Sequence, residues 1–144
     1  MYDTAETSER LTIRHIALVR GSWRRVLPIQ DLAAELFYRR LFELDRSLER
    51  LFHGDMPRQG QKLMTMLATV VTRLDRLDDV VPAIEQLGRA HVGYGVEDAH
   101  YDTVGRALLD TLRAGLGDAF DLETEQAWAV AYRTLAGVMR RARP

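Results

Sequence analysis

The 144-residue chain contains no cysteine. That excludes a disulfide framework, a thiolate nucleophile and any zinc–thiolate site, so a metal would have to be held by His, Asp, Glu or Tyr. Long hydrophobic runs are missing as well. The apolar stretches are far too short to span a bilayer, and the opening MYDTAETSERLT has no basic segment followed by an apolar one. No membrane partner and no secretion are expected, and a cytoplasmic location is. An excess of one charge is also lacking, since 20 basic residues face 21 acidic ones for a net charge of −1. Arg24-Arg25, Arg39-Arg40 and Arg140-Arg141 therefore read as solvated helix faces and a basic last turn rather than as a nucleic-acid surface. Lysine is almost absent, with Lys62 the sole one.

What is present is helical period. Hydrophobic residues at 47% and charged residues at 28% are ordinary for a globular protein, and a chain of this length can bury about two-thirds of the surface its unfolded form exposes. Ile16, Val19, Trp23 and Val26 step by three and four, with Pro28 where a helix should stop. Asp31 is placed to cap a second helix carrying Ala33, Phe37, Leu41 and Leu44 on one face. A short turn spans Leu48 to Phe52, and His53 to Pro57 read as a loop. Leu63, Leu67, Val70, Leu74 and Leu77 mark a long amphipathic helix closed by Asp78-Asp79. Pro82 suits the first turn of the next helix, whose stripe is Ile84, Leu87 and His91, with Gly93 and Gly95 beyond it. Tyr101, Val104, Leu108, Leu112 and Leu116 form another stripe ended by Gly117, and Asp121 caps a last one with Trp128, Ala131, Leu135 and Val138. The expectation is an all-α fold of about seven to eight helices in a single domain, 1–144, with residues 1–11 as a flexible N-terminal extension.

His91 ends an inward stripe. Alone, a histidine on an apolar helix face is more often a core residue satisfied by one hydrogen bond than a ligand. Tyr38, Gln59 and Lys62 also fall at or near inward faces, and together the four suggest a shared pocket. One imidazole among aromatic and aliphatic walls cannot hold a bare zinc or iron, which wants three or four protein ligands. It suits a metal that brings its own equatorial ligands, and haem is that case.

The ordered set of residues resembles the globin family, from about Leu18 to Val138. LVRGSWRRV is similar to the first helix of neuroglobin-type chains, and LFYRRLFELDRSLERLF to the second and third helices of bacterial haemoglobins and flavohaemoglobins. The resemblance implies Tyr38 as the distal tyrosine, Phe52 as the phenylalanine packed on the haem face, Gln59 at the distal position often held by His, Lys62 one turn on toward a haem propionate, and Leu63 over the iron. IEQLGRAHVGYGVEDAHYDTVG resembles the proximal segment. It implies His91 as the iron ligand, with its second ring nitrogen donating to a carbonyl near Leu87, and Tyr101 as the proximal tyrosine. Two positions depart from the family pattern. Asp45 stands where a proline commonly starts the third helix, and the glutamate that pairs with the proximal tyrosine in flavohaemoglobins would align near Arg143. His15 and His100 read as surface or helix-end residues, and His53 as a loop residue near a haem edge.

Three functions follow as expectations. The first is reversible binding of O2, with CO and NO as further ligands, by a haem b protein that is a monomer or weak homodimer. The second is NO dioxygenase or peroxidase-like chemistry with electrons from an external reductase, since no flavin- or nicotinamide-binding region follows the pattern. The third, a haem-free scaffold of the same fold, is opposed by His91, Tyr38 and Gln59 occurring together.

Overall fold

Several of the helices begin where a polar side chain can satisfy backbone groups that the helix leaves open. In the computed structural model, which describes residues 10–52, 54–93 and 95–142, Thr12 caps α1 (Ile13–Val26). Its hydroxyl accepts from the His15 N–H, and the His15 Nδ1 accepts from the Thr12 N–H, both at 3.1 Å. The helix-end reading of His15 holds. A 3-10 turn, Leu27–Ile29, leads to α2 (Gln30–Leu44). A second, Arg46–Leu51, is capped by Asp45, whose carboxylate accepts from the Ser47 N–H. Asp55 caps α3 (Met56–Thr72), Leu74–Arg76 is a third 3-10 turn, and α4 (Leu77–Gly93) follows. Beyond it lie α5 (Asp98–Leu116), the 3-10 turn Gly117–Ala119 and α6 (Leu122–Arg141), capped by Asp121 at 2.8 Å from the Thr124 N–H. The chain is all-α as expected, with six α-helices rather than seven to eight and no strand among the described residues, the remaining short segments being 3-10 turns.

Three boundaries differ from the sequence reading. Asp31 does not cap α2: the chain turns straight through Leu27–Ile29 into the helix, so Asp31 lies in its first turn, where a carboxylate still favours the positive end of the helix dipole. Asp78-Asp79 open α4 rather than closing α3, for the same electrostatic reason, because the break falls at Arg73 to Arg76. Pro82 lies inside α4 rather than in its first turn. Of the expected N-terminal extension, residues 1–9 lie outside the described residues, and Leu11 packs against the core.

The helices pack as α1 on α6, α2 on α5 and α4 on α6. Between α1 and α6, Trp23 and Trp128 meet with ring centroids 6.2 Å apart. The Trp128 indole N–H donates to the Ser22 hydroxyl at 2.7 Å, and that hydroxyl donates to the carbonyls of Leu18 and Val19. A buried indole N–H is thereby satisfied. Arg20 reaches from α1 to the carbonyls of Val71 and Thr72 and to Asp75, closing the open end of α3. The buried apolar residues fall into two clusters. The larger joins α1, α2, α3, α5 and α6, and the smaller gathers Ile84, Tyr101, Leu135, Ala136 and Met139.

Replacing Ser22 by Ala leaves the Trp128 N–H buried without an acceptor. We expect a loss of about 1–3 kcal/mol, seen as a lower urea midpoint with an unchanged slope. The double variant S22A/W128F should lose less than the sum of the two single variants, since no orphaned donor remains. Additive losses would show that the bond carries no coupling.

Candidate functional site

The two hydrophobic clusters do not merge. Along their seam runs a cavity of about 210 Å³, to which each of the helices α2 to α6 contributes. Its walls are apolar apart from a few side chains, and those polar groups decide what it can hold.

One wall carries His91, in the last turn of α4. The imidazole is half-buried, and burial pulls its pKa below the ordinary histidine value because the charged form loses hydration, so the ring is neutral at pH 7. Its Nδ1 is buried and has no hydrogen-bond partner. The expected bond to a carbonyl near Leu87 is therefore not made. Leu87 itself packs into the smaller cluster and does not line the cavity. Tyr101 does, with its ring 6.3 Å from that of His91. Its backbone is held by Tyr132, whose hydroxyl donates to the Tyr101 carbonyl at 2.6 Å.

The facing wall is aromatic. Tyr38, on α2, meets Phe37 at 5.1 Å and Phe52 at 5.3 Å, both edge to face, and Phe42 at 6.1 Å. The cage pushes the Tyr38 pKa up to about 12 by burial, which keeps the hydroxyl protonated and a donor. Its bond to the Gln59 carbonyl oxygen is 3.4 Å long, beyond the range of a strong O–H···O bond. Phe52 and Leu63 line the cavity beside Tyr38. Gln59 contributes its backbone here, not its side chain, and Lys62 is exposed; neither lines the cavity.

The structure thus brings together Tyr38, Phe52, Leu63, His91 and Tyr101, and leaves Gln59, Lys62 and Leu87 outside. His100 has two roles. Its Nδ1 accepts from the Glu97 N–H at 2.9 Å at the start of α5, as the helix-end reading expects, and its ring also lines the cavity. Tyr132, Leu135 and Met139 went unread as lining residues, although the spacing from Trp128 through Leu135 put Tyr132 near the inward face. His53 and Arg143 lie outside the described residues.

No group of three or more His, Asp or Glu side chains that could hold a metal ion occurs among the described residues. The donor set is one neutral imidazole with an unsatisfied nitrogen, beside the phenols of Tyr38, Tyr101 and Tyr132 and a second imidazole already engaged at a helix start. A large apolar group whose metal needs only one protein nitrogen fits these residues; a bare ion does not. No helix among the described residues is long and apolar enough to cross a membrane.

The globin family profile matches residues 35–139. The chain is 30% identical over 131 residues to a flavohemoprotein of Vibrio cholerae, an alignment covering 89% of this chain and 33% of that protein. It therefore spans about a third of that relative's length, and 26% of the flavohemoproteins of the two Bordetella species. It is 29% identical to a neuroglobin of Tetraodon nigroviridis, with 92% of each chain covered. Among solved structures, an engineered carbene transferase from Rhodothermus marinus, whose parent is named as a candidate nitric oxide dioxygenase, superposes with a TM-score of 0.81 at 28% identity over 90% of this chain and 91% of that one. A bacterial globin of Campylobacter jejuni superposes with a TM-score of 0.80 at 21% identity over 91% of this chain and 95% of that one.

The position of the His91 wall depends on Gly88, one turn earlier in α4. A Cβ there would stand 2.5 Å from the Met139 carbonyl oxygen and 2.8 Å from its Cα, and backbone cannot swing aside as a side chain can. Gly88→Ala should push α4 off α6 at a cost of about 1–3 kcal/mol, visible as a lower thermal midpoint and faster amide exchange in 84–93. Exchange and midpoint at the wild-type level would show that the crossing tolerates the extra carbon.

Proposed function

This chain belongs to the globin family, and on that premise we propose that it holds haem b at His91 and binds O2 reversibly, with CO and NO as further ligands. The observation that carries the reading is the neutral His91 imidazole, with a buried unpartnered nitrogen, facing an apolar cavity across from a phenol donor. Haem, when bound, would supply an iron that takes a protein imidazole and a diatomic gas as ligands.

His91 would hold the iron through an imidazole whose charged form burial disfavours. Phe52 and Leu63 keep water out of the gas side. Tyr38, whose hydroxyl is only weakly held by the Gln59 carbonyl, would donate to the gas, and the Gln59 side-chain amide would be a second donor. Lys62, exposed one turn further on, reaches a haem propionate at the mouth of the cavity. Tyr101 walls the His91 side, and Leu87 packs under the helix that carries the ligand. A donor here selects for O2, which gathers negative charge on its outer atom, over CO, which gathers less; a bond of this charge-assisted kind is worth about 1.5–3 kcal/mol. The domain reading is 1–144, acting as a monomer or weak homodimer in the cytoplasm.

A second reading is supported by the similarity to flavohemoproteins and to the Rhodothermus protein: NO dioxygenase or peroxidase-like activity with electrons from an external reductase.

Two outcomes test the first reading. His91→Ala should lose the Soret band, or hold haem substoichiometrically, while keeping its far-ultraviolet circular dichroism, because the His100 Nδ1 is already committed to the Glu97 N–H. A wild-type spectrum in that variant would remove His91 from the iron.

Tyr38→Phe keeps the aromatic cage and removes the donor, so O2 dissociation should speed up by about ten- to a hundredfold. CO release serves as the control and should change far less. Equal changes for both gases would mean a loosened cavity rather than a lost hydrogen bond, and unchanged O2 release would place the hydroxyl elsewhere.

A further inference from the structure

Behind the His91 wall stands a cation. Arg140, in the last turn of α6, lies with its guanidinium carbon 5.2 Å from the centroid of the Tyr101 ring. Its Nη2 donates to the Asp98 carbonyl and to the Asp102 carboxylate, each at 3.2 Å. Its Nε is buried with no hydrogen-bond partner. Arg140 does not line the cavity, whereas Tyr101 does. Tyr101 is 7% exposed, whereas the Arg140 side chain is 37% exposed, so water screens the charge on its outer side while buried aromatic carbon lies between it and the cavity. The facing carboxylate, Asp102, is 87% exposed and well hydrated, and so offsets the guanidinium only in part. A guanidinium keeps its proton throughout the working pH range, so this charge is constant.

Resting on the haem reading above, we propose that Arg140 is a positioning residue for charge: a fixed cation held behind Tyr101 that raises the reduction potential of haem iron ligated by His91 and so favours the ferrous, gas-binding form. The couple concerned takes one electron from a chemical reductant to convert ferric haem to ferrous haem, with no bond made or broken in the protein. Ferric haem carries one more positive charge than ferrous haem, and a neighbouring cation destabilises the more positive state.

The test is an anaerobic dithionite titration of haem-loaded full-length protein at low ionic strength, followed at the Soret band for wild type, R140M, R140K and D102N. R140M should shift the ferric–ferrous equilibrium about three- to tenfold toward ferric, the upper figure corresponding to about 59 mV for one electron. R140K, which keeps the charge, should stay within about twofold of wild type, a difference well under 59 mV. D102N removes the partial counter-charge at an exposed position and should move the couple the other way. A purely structural Arg140 predicts otherwise: R140K would fall as far as R140M, or R140M would match wild type, and either result overturns the proposal. If R140M does not fold, D102N decides, with a rise supporting the proposal and no change refuting it. Failure of wild type to take up haem would instead overturn the reading beneath, whereas a normal haem spectrum with unmoved potentials would remove Arg140 alone.

Discussion

The close crossing of α4 over α6 is the constraint on which the site depends. Because Gly88 has no side chain, the α4 backbone rests directly on the α6 backbone at Met139. That contact holds α4 on one side of the molecule, packed on α6 rather than on α2 or α3. The space between α4 and the α2–α3 pair is then left for something other than helix packing, and the interior divides into two hydrophobic clusters with a cavity along the seam. Native interiors are close-packed, and an apolar void forfeits dispersion contacts along its whole lining.

The two walls of the cavity differ electrostatically, and the difference is made by burial. On the α2 side an aromatic cage keeps Tyr38 a phenol and therefore a donor. On the α4 side burial disfavours the charged form of His91 and favours the neutral imidazole. Neither group has a strong protein partner: the Tyr38 bond is long, and the His91 Nδ1 makes none. Unsatisfied polar atoms in an apolar cavity cost stability, a cost that a bound partner removes. Behind the His91 wall the guanidinium of Arg140 adds a constant charge that neither wall residue supplies.

Most of the helical pattern could be read directly. The stripes of α1, α2, α5 and α6 follow the three-and-four spacing because each helix buries one face, and Asp121 and Gly117 mark ends because local backbone chemistry demands them there. The misread boundaries are those where local rules compete. Asp78-Asp79 are as acceptable before a helix start as after a helix end, and Pro82 is tolerated inside α4 because the helix is held in place by tertiary contacts. Leu87 shares its helix stripe with His91, yet it faces the smaller cluster rather than the cavity, since a stripe wide enough to pack on α6 is also wide enough to divide between two environments.

By itself the sequence determined the all-α class, the order of the helices, the family and the candidacy of His91 and Tyr38, because periodicity and capping are local properties and the spacing of a few polar residues on inward faces survives any detail of packing. Only the tertiary structure decided which of those residues meet. Tyr38 and His91 lie 53 positions apart by their numbers, and Arg140 comes to stand behind Tyr101 only because the last turn of α6 runs beside the first turn of α5. The unmade bond at the His91 Nδ1, the inward turn of His100 and the exclusion of Leu87 from the cavity are set by the angles and distances at which helices cross, and no single segment carries that information.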